Sequence, residues 1–367
     1  MVFTRKKKFI HRASCQNLTF FMMLVVWFGC AGGTRLTIRA QSQTPEKTRA
    51  AFLKLIQRPR VPLASAVKDL PSVGELSQEH FTFAAEVDQR VPGILLKNAK
   101  FTGRRPVVII LHGTGGTKEG MLALLTPYAE RGFIAVAIDG RYHGERTKAG
   151  KGSAEYSEAM LRTYRTGKEH PFLYDTVWDI MRLLDYLETR KDVDAKRIGL
   201  MGISKGGMET YLTAAVDSRV AVAVPCIGVQ SFRWALDNDT WKHRVETFQA
   251  AINGAAKDDG VTEINADFVR KFYDRVVPGI YSQFDGPAML PLIAPRPLLV
   301  INGDSDARTP VPAVQECAAA AANAYARAKA VDKFVLHLQK KTGHAVNATA
   351  RQAAIDWFVK WLKPESK

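Results

Sequence analysis

From Val91 onward the chain alternates between short runs that are apolar at nearly every position and longer stretches in which apolar residues recur every three or four positions. The runs are Val107–Leu111, Ile134–Ile138, Ile198–Met201, Val220–Val224, Leu298–Ile301 and Phe334–Leu338. Successive side chains of a strand point to opposite faces, so a run without polar alternation must be covered on both sides, as in a parallel sheet flanked by helices. The stretches Glu119–Arg131, Asp175–Thr189, Lys205–Val216, Ala313–Ala328 and Thr349–Leu362 have helical spacing. In Asp175–Thr189, Val177, Ile180, Met181, Leu184 and Leu187 share a face. Strand and helix in alternation predict the α/β class, with a mostly parallel sheet and helices on both faces.

Two regions break this rhythm. Residues 41–90 are polar and helix-prone with several prolines, which predicts an N-terminal extension packed on a main domain spanning 91–367. Between Gly228 and Pro287 about sixty residues separate two apolar runs where roughly a dozen would complete a parallel crossover. That segment predicts a helical insertion, or lid, over the strand ends. Its aromatic residues, Phe232, Trp234, Trp241, Phe248, Phe268, Phe272, Tyr273, Tyr281 and Phe284, either shape a substrate pocket or fill core. Arg233, Lys242 and Arg244 either meet an acidic substrate or form a wet helix face.

Charge changes the picture at the front of the chain. The 367 residues carry 52 Lys+Arg against 36 Asp+Glu, a net +16 that would ordinarily suggest nucleic acid or an anionic membrane surface as partner. Residues 1–40 hold seven cations and no acid, leaving 45 cations against 36 acids, or +9, for the rest. They combine a basic segment, Arg5–Arg12, an apolar run of 14 residues, Leu18–Ala31, and a small residue, Ala40, suited to cleavage. This is the layout of an export signal, and the run is shorter than the ~20 residues of a spanning helix. The expectation is a signal peptide over 1–40 and a periplasmic or secreted protein without stable membrane insertion after cleavage; a retained N-terminal anchor is the alternative. Lipid attachment at Cys30 is opposed by the bulky Trp27 and Phe28. Cys15 and Cys30 fall in this leader, so Cys226 and Cys317 remain, as small buried hydrophobes or as a bridged pair.

The candidate chemistry starts at Gly202-Ile203-Ser204-Lys205-Gly206-Gly207, which follows an apolar run and opens a helical stretch. It matches G-x-S-x-G in its strand–turn–helix context, where side chains at 202 or 206 would collide with neighbouring elements and the serine faces solvent at a helix N-terminus. A plain glycine-rich turn is the competing reading. A serine needs a base to take its proton, and that imidazole needs an acid behind it, in the order Ser, Asp, His. His344 follows the last apolar run and is the base by elimination among eight histidines; His143 and His112 precede the serine. The acid is Asp306 or Asp304, after Leu298–Ile301, with Asp306 preferred from its offset to Gly303 and Pro310. His112-Gly113-Thr114-Gly115-Gly116 brings backbone close to a developing oxyanion, or is simply a tight turn. The expected donors are the N–H groups of Lys205 and Thr114, with Gly115 competing for the second place. Neither metal-ligand spacing nor a phosphate-binding loop is present, and a Ser-His-Asp mechanism needs no cofactor.

Together, Ser204, Asp306, His344 and the HGTGG loop resemble the α/β-hydrolase superfamily. PGILL from Pro92, VVIILHGTGG, AIDGRYHGER and GISKGG are similar to the dienelactone hydrolase and prolyl oligopeptidase branch, including bacterial acetyl xylan esterase-like members, over about residues 85–363. Two departures stand out: dienelactone hydrolases use a cysteine where this chain has Ser204, and the chain has no room for the propeller of prolyl oligopeptidases. The resemblance implies an α/β-hydrolase fold and a serine hydrolase, foremost a carboxylesterase, acting on a small ester such as an acylated sugar or peptide, with no nucleic acid partner. A peptidase or amidase is the alternative, and a non-catalytic binding protein of the same fold a third reading. Oligomeric state has no signature in the sequence.

Overall fold

The computed structural model describes residues 44–148 and 153–364; the leader, with Cys15 and Cys30, lies outside the described residues. The chain begins with α1 (Pro45–Ile56), whose Thr44 cap accepts the N–H of Lys47 and whose Phe52 and Ile56 enter the core. Next come β1 (Ala66–Val73), β2 (Leu76–Glu86), β3 (Gln89–Asn98), β4 (Arg105–Leu111), α2 (Leu122–Ala129), β5 (Ile134–Ile138), α3 (Ser153–Thr166) and α4 (Tyr174–Thr189). After β6 (Val193–Ile203), α5 (Lys205–Val216) and β7 (Val220–Cys226) follow α6 (Phe232–Asp237), α7 (Lys242–Val245), α8 (Gln249–Asp258), α9 (Ala266–Val276) and α10 (Gly286–Met289). The chain closes with β8 (Leu298–Gly303), α11 (Val311–Arg327), β9 (Phe334–Gln339) and α12 (Ala348–Leu362).

The nine strands form one sheet in the order β1-β2-β3-β5-β4-β6-β7-β8-β9. The pairs β1/β2, β2/β3 and β3/β5 are antiparallel, and the five pairs from β5/β4 to β8/β9 are parallel. Strand β4 shows why its sequence is apolar throughout. Val107, Ile109 and Leu111 enter one core cluster with α4 and α5, while Val108 and Ile110 enter the other with α2 and α12. From β4 the chain crosses to β5 on one side and then returns to β6 on the other. The reversal opens a crevice at the C-terminal ends of β4 and β6, where ligands bind in open α/β sheets.

The helix-prone reading of 41–90 describes α1 alone, because residues 66–86 form β1 and β2. Phe81, Phe83 and Ala85 of β2 face the core at every second position, a period-two signal diluted by polar His80 and Thr82 and blurred by buried Ala84. The space above Phe81 also explains Gly93 on the neighbouring strand, where a Cβ would lie 2.1 Å from the ring.

The segment between β7 and β8 is helical, and its aromatic residues are mostly core. Phe232, Trp241, Phe248, Phe268, Phe272, Tyr273 and Phe284 are all buried in the cluster on the α4/α5 side. Helix α3 joins the same body: Tyr164 stacks on Phe272 at 5.5 Å, and Phe272 stacks on Phe248 at 5.7 Å. Cys226 and Cys317 are free thiols in the two different core clusters, so the sheet separates them and they form no bridge. Burial pushes both thiols up, away from the reactive thiolate. Alkylation by iodoacetamide in native buffer, followed by peptide mapping, is therefore expected to leave Cys226 and Cys317 unmodified until denaturant is added; native labelling of either at the rate of an exposed thiol contradicts this packing.

Candidate active site

Ser204 sits between β6 and α5 with φ of 55°, in the left-handed region that side-chain-bearing residues rarely adopt. Its surroundings hold it there. Ser204 N–H donates to Cys226 O at the end of β7 (2.9 Å), and Ser204 O accepts the first helical bond from Met208 N (3.1 Å). The turn is also pressed against β4: a Cβ on Gly202 would lie 2.1 Å from Gly206 O, and one on Gly206 would lie 2.5 Å from Leu111 O. Glycine at both positions is thus a condition of the close approach.

His344 reaches this turn from the loop after β9. Its Nε2 lies 2.8 Å from Ser204 Oγ and its Nδ1 lies 2.8 Å from Asp306 Oδ2. Asp306, buried in the loop after β8, also accepts the N–H groups of Arg308 (2.9 Å) and Thr309 (3.3 Å) and the hydroxyl of Thr309 (2.7 Å). Burial alone would raise the Asp306 pKa; the hydrogen bonds from His344 and Thr309 outweigh it and hold the carboxyl below its ordinary value. With Asp306 ionised, Nδ1 of His344 carries the donated proton and Nε2 is left to accept from the serine.

Asp304 has a different task. It is exposed, and it accepts the N–H groups of Lys341 (2.9 Å) and Thr342 (3.2 Å), stapling the β8 loop to the loop that carries His344. The sequence contains no sign of this staple, nor of Asn302, whose side chain meets Thr309 Oγ1 (2.8 Å) and Thr309 O (2.9 Å) and so fixes the group that holds Asp306. Arg244 is neither a wet-face residue nor open to a substrate. It is buried and donates to Arg308 O (3.1 Å), tying α7 to the Asp306 loop.

The second wall of the crevice is the loop after β4. Gly116 N–H donates to Gly113 O (3.0 Å), closing a turn in which Gly115 has φ of 78°, and the N–H of Thr114 stays outside that bond. A Cβ on Gly113 would lie 3.3 Å from Ile203 O and 3.5 Å from Ser204 Cβ, so the loop packs directly on the serine turn. Lys205 is the first residue of α5, so its N–H has no carbonyl one turn back. At the far end of the loop, fully buried Lys118 ties it to β5. Its N–H donates to Asp139 Oδ1 (2.8 Å) and its ammonium lies 2.9 Å from Asp139, 2.6 Å from Glu119 and 2.5 Å from Glu145. Among the described residues no cluster of His, Cys, Asp and Glu is arranged to hold a metal ion.

The contact between Gly206 and Leu111 O carries a measurable consequence. Gly206→Ala is expected to lower the unfolding free energy by about 1–3 kcal/mol, the usual range for overpacking, in urea titrations followed by tryptophan fluorescence. A change within about 0.5 kcal/mol, typical of an unconstrained site, contradicts the close approach.

Comparison with known proteins agrees with this architecture. The acetyl xylan esterase (AXE1) family model matches residues 73–242. A putative hydrolase, YtaP of Bacillus subtilis (strain 168), is 28% identical over 288 residues, which cover 75% of this chain and 84% of that protein. Acetyl xylan esterase 1 from Thermoanaerobacterium sp. JW/SL YS485 superposes with a TM-score of 0.64 at 20% identity, covering 88% of this chain and 94% of that one. A glucuronoyl esterase from Solibacter usitatus superposes with a TM-score of 0.60 at 16% identity, over 86% and 91% of the two chains. By its strand order, its serine turn at the switch in that order and these similarities, the chain has the α/β-hydrolase fold and is similar to acetyl xylan esterases.

Proposed function

We propose that the protein is a serine carboxylesterase that works through an acyl-enzyme, with Ser204 as nucleophile, His344 as base and Asp306 as the acid behind it. The observation that carries this reading is the pair of 2.8 Å contacts that links Ser204 Oγ through His344 to a buried carboxylate. Ser204 Oγ attacks the ester carbonyl while its proton passes to His344 Nε2, and ionised Asp306 stabilises the imidazolium. The carbonyl oxygen becomes an oxyanion facing the N–H groups of Lys205 and Thr114, and the α5 N-terminus favours the charge. Collapse of the tetrahedral species breaks the ester C–O bond, and His344 gives its proton to the departing alcohol. Water, deprotonated by His344, then attacks the acyl-serine and releases the acid.

The substrate class we favour is a small ester of an acylated sugar, in keeping with the acetyl xylan esterase names among similar proteins. The basic segment and apolar run of residues 1–40 support export, and no helix of the described residues is long and apolar enough to cross a membrane.

A fluorophosphonate probe is expected to label Ser204 in the wild-type protein and not in Ser204→Ala, and that variant is expected to lose 4-nitrophenyl acetate hydrolysis while keeping its circular dichroism spectrum. A folded wild-type protein that neither labels nor turns over esters overturns the proposal; turnover of aminoacyl amides at a comparable kcat/KM replaces the esterase by an amidase. The two aspartates separate as well. Asp306→Asn is expected to lower kcat by roughly 10³- to 10⁴-fold, since it favours the wrong imidazole tautomer, and Asp304→Asn by about tenfold or less, since one amide oxygen still accepts an N–H. Equal losses in steady-state kinetics contradict this division of roles.

A further inference from the structure

The side chain of Lys205 is buried, as is Glu209 one helical turn later; the ammonium lies 2.5 Å from Glu209 Oε1. Every residue of α5 is buried, and the reading above uses only the Lys205 backbone. The surroundings of the ammonium show what it touches. It lies against Gly140 at the end of β5, where a Cβ would be only 2.9 Å from Nζ, and 5.7 Å from the centre of the Tyr156 ring. Glu209 also takes a hydrogen bond from Thr176 of α4.

Gly140 leads directly to the oxyanion loop. Its N–H donates to His112 Nε2 (3.0 Å), while Nδ1 of the same ring lies 2.8 Å from Gly113 O. A ring that accepts at Nε2 and faces a carbonyl at Nδ1 is neutral, with its proton on Nδ1. Burial, together with the nearby Lys205 charge, lowers the His112 pKa to about 3, so the ring keeps this state throughout the working range of an esterase. Gly113 precedes Thr114 in the chain, so a continuous line runs from Glu209 through the Lys205 ammonium, the Gly140 backbone and the His112 ring to the Thr114 N–H.

We infer that the buried Lys205–Glu209 pair positions the oxyanion donors, holding the first turn of α5 and, through Gly140 and His112, the HGTGG loop in one fixed relation. The inference rests on the oxyanion roles proposed above for Lys205 and Thr114. Two donors aimed at one oxygen must keep their spacing within a fraction of an ångström, and the Lys205–Glu209 ion pair fixes the ammonium that packs against Gly140, the residue whose N–H holds the His112 ring. Lys205 is a positioning residue through its side chain, and the N–H group on the same residue is the donor that its side chain steadies.

The test separates positioning from stability. Lys205→Met leaves Glu209 buried without a cation and is expected to lower Tm; the double variant Lys205→Met/Glu209→Leu removes both charges and is expected to recover most of that Tm, as replaced buried ion pairs commonly do. Its kcat for 4-nitrophenyl acetate, per site counted by exhaustive fluorophosphonate labelling, is nevertheless expected to stay about 10- to 100-fold below wild type, with KM within about threefold. Glu209→Gln, which keeps an oxygen to accept from the ammonium, is expected to retain at least about a third of kcat and so supplies a variant independent of the double. A double variant with kcat within threefold of wild type, or Glu209→Gln losing as much as Lys205→Met, overturns the inference. A wild-type protein that does not label or turn over fails the esterase reading instead.

Discussion

The contact on which the molecule turns is backbone against backbone, where the β6–α5 bend meets the ends of β4 and β7. Ser204 N–H bonds to Cys226 O, and Gly206 leaves only enough space for Leu111 O. A side chain at that point would separate β4 from β6, and with them the HGTGG loop from the serine. The apolar filling of the strands serves this contact. Since β4, β6 and β7 are covered on both faces, the sheet cannot relax away from the bend without exposing core. The left-handed conformation of Ser204 is thereby sustained by burial elsewhere in the sheet.

The functional side chains divide into those legible in the sequence and those that were not. Ser204, His344 and Asp306, which the structure brings into contact, were readable because a Ser-His-Asp arrangement demands fixed residue types after strands, in a fixed chain order. The strands β4 to β8 were readable because double burial strips polar alternation from a run, and β9, a half-buried edge strand, because its run Phe334–Leu338 is nearly all apolar. Strands β1 and β2 escaped because one of them is almost wholly exposed and the other interleaves Phe81 and Phe83 with polar residues. The supporting shell escaped for a different reason. Asn302, Asp304, Lys118 and Arg244 act through partners that are distant in sequence or through backbone atoms, and neither kind of partner leaves a pattern of residue types.

The positive charge also looks different once folded. Lys118, Arg141, Arg190 and Arg219 are committed to carboxylates: Asp139 to the first, Asp179 to the second, Glu79 and Asp192 to the third, Asp217 and Asp185 to the last, so these four cations add nothing to the net positive charge. Several of these cations fasten loops at the strand ends, so their placement follows the architecture.

The staple at Asp304 bears on how the site moves. Besides its two side-chain bonds, Asp304 N–H donates to Gln339 O (3.0 Å) and Ser305 N–H to Thr342 O (3.0 Å), so the acid loop and the base loop are laced together along their length. Asp306 and His344 are thus carried on two loops fastened to each other at one side of the sheet, while the serine belongs to its centre. A displacement of the β8–β9 edge as a unit would keep the carboxylate–imidazole contact and alter the distance from His344 Nε2 to Ser204 Oγ.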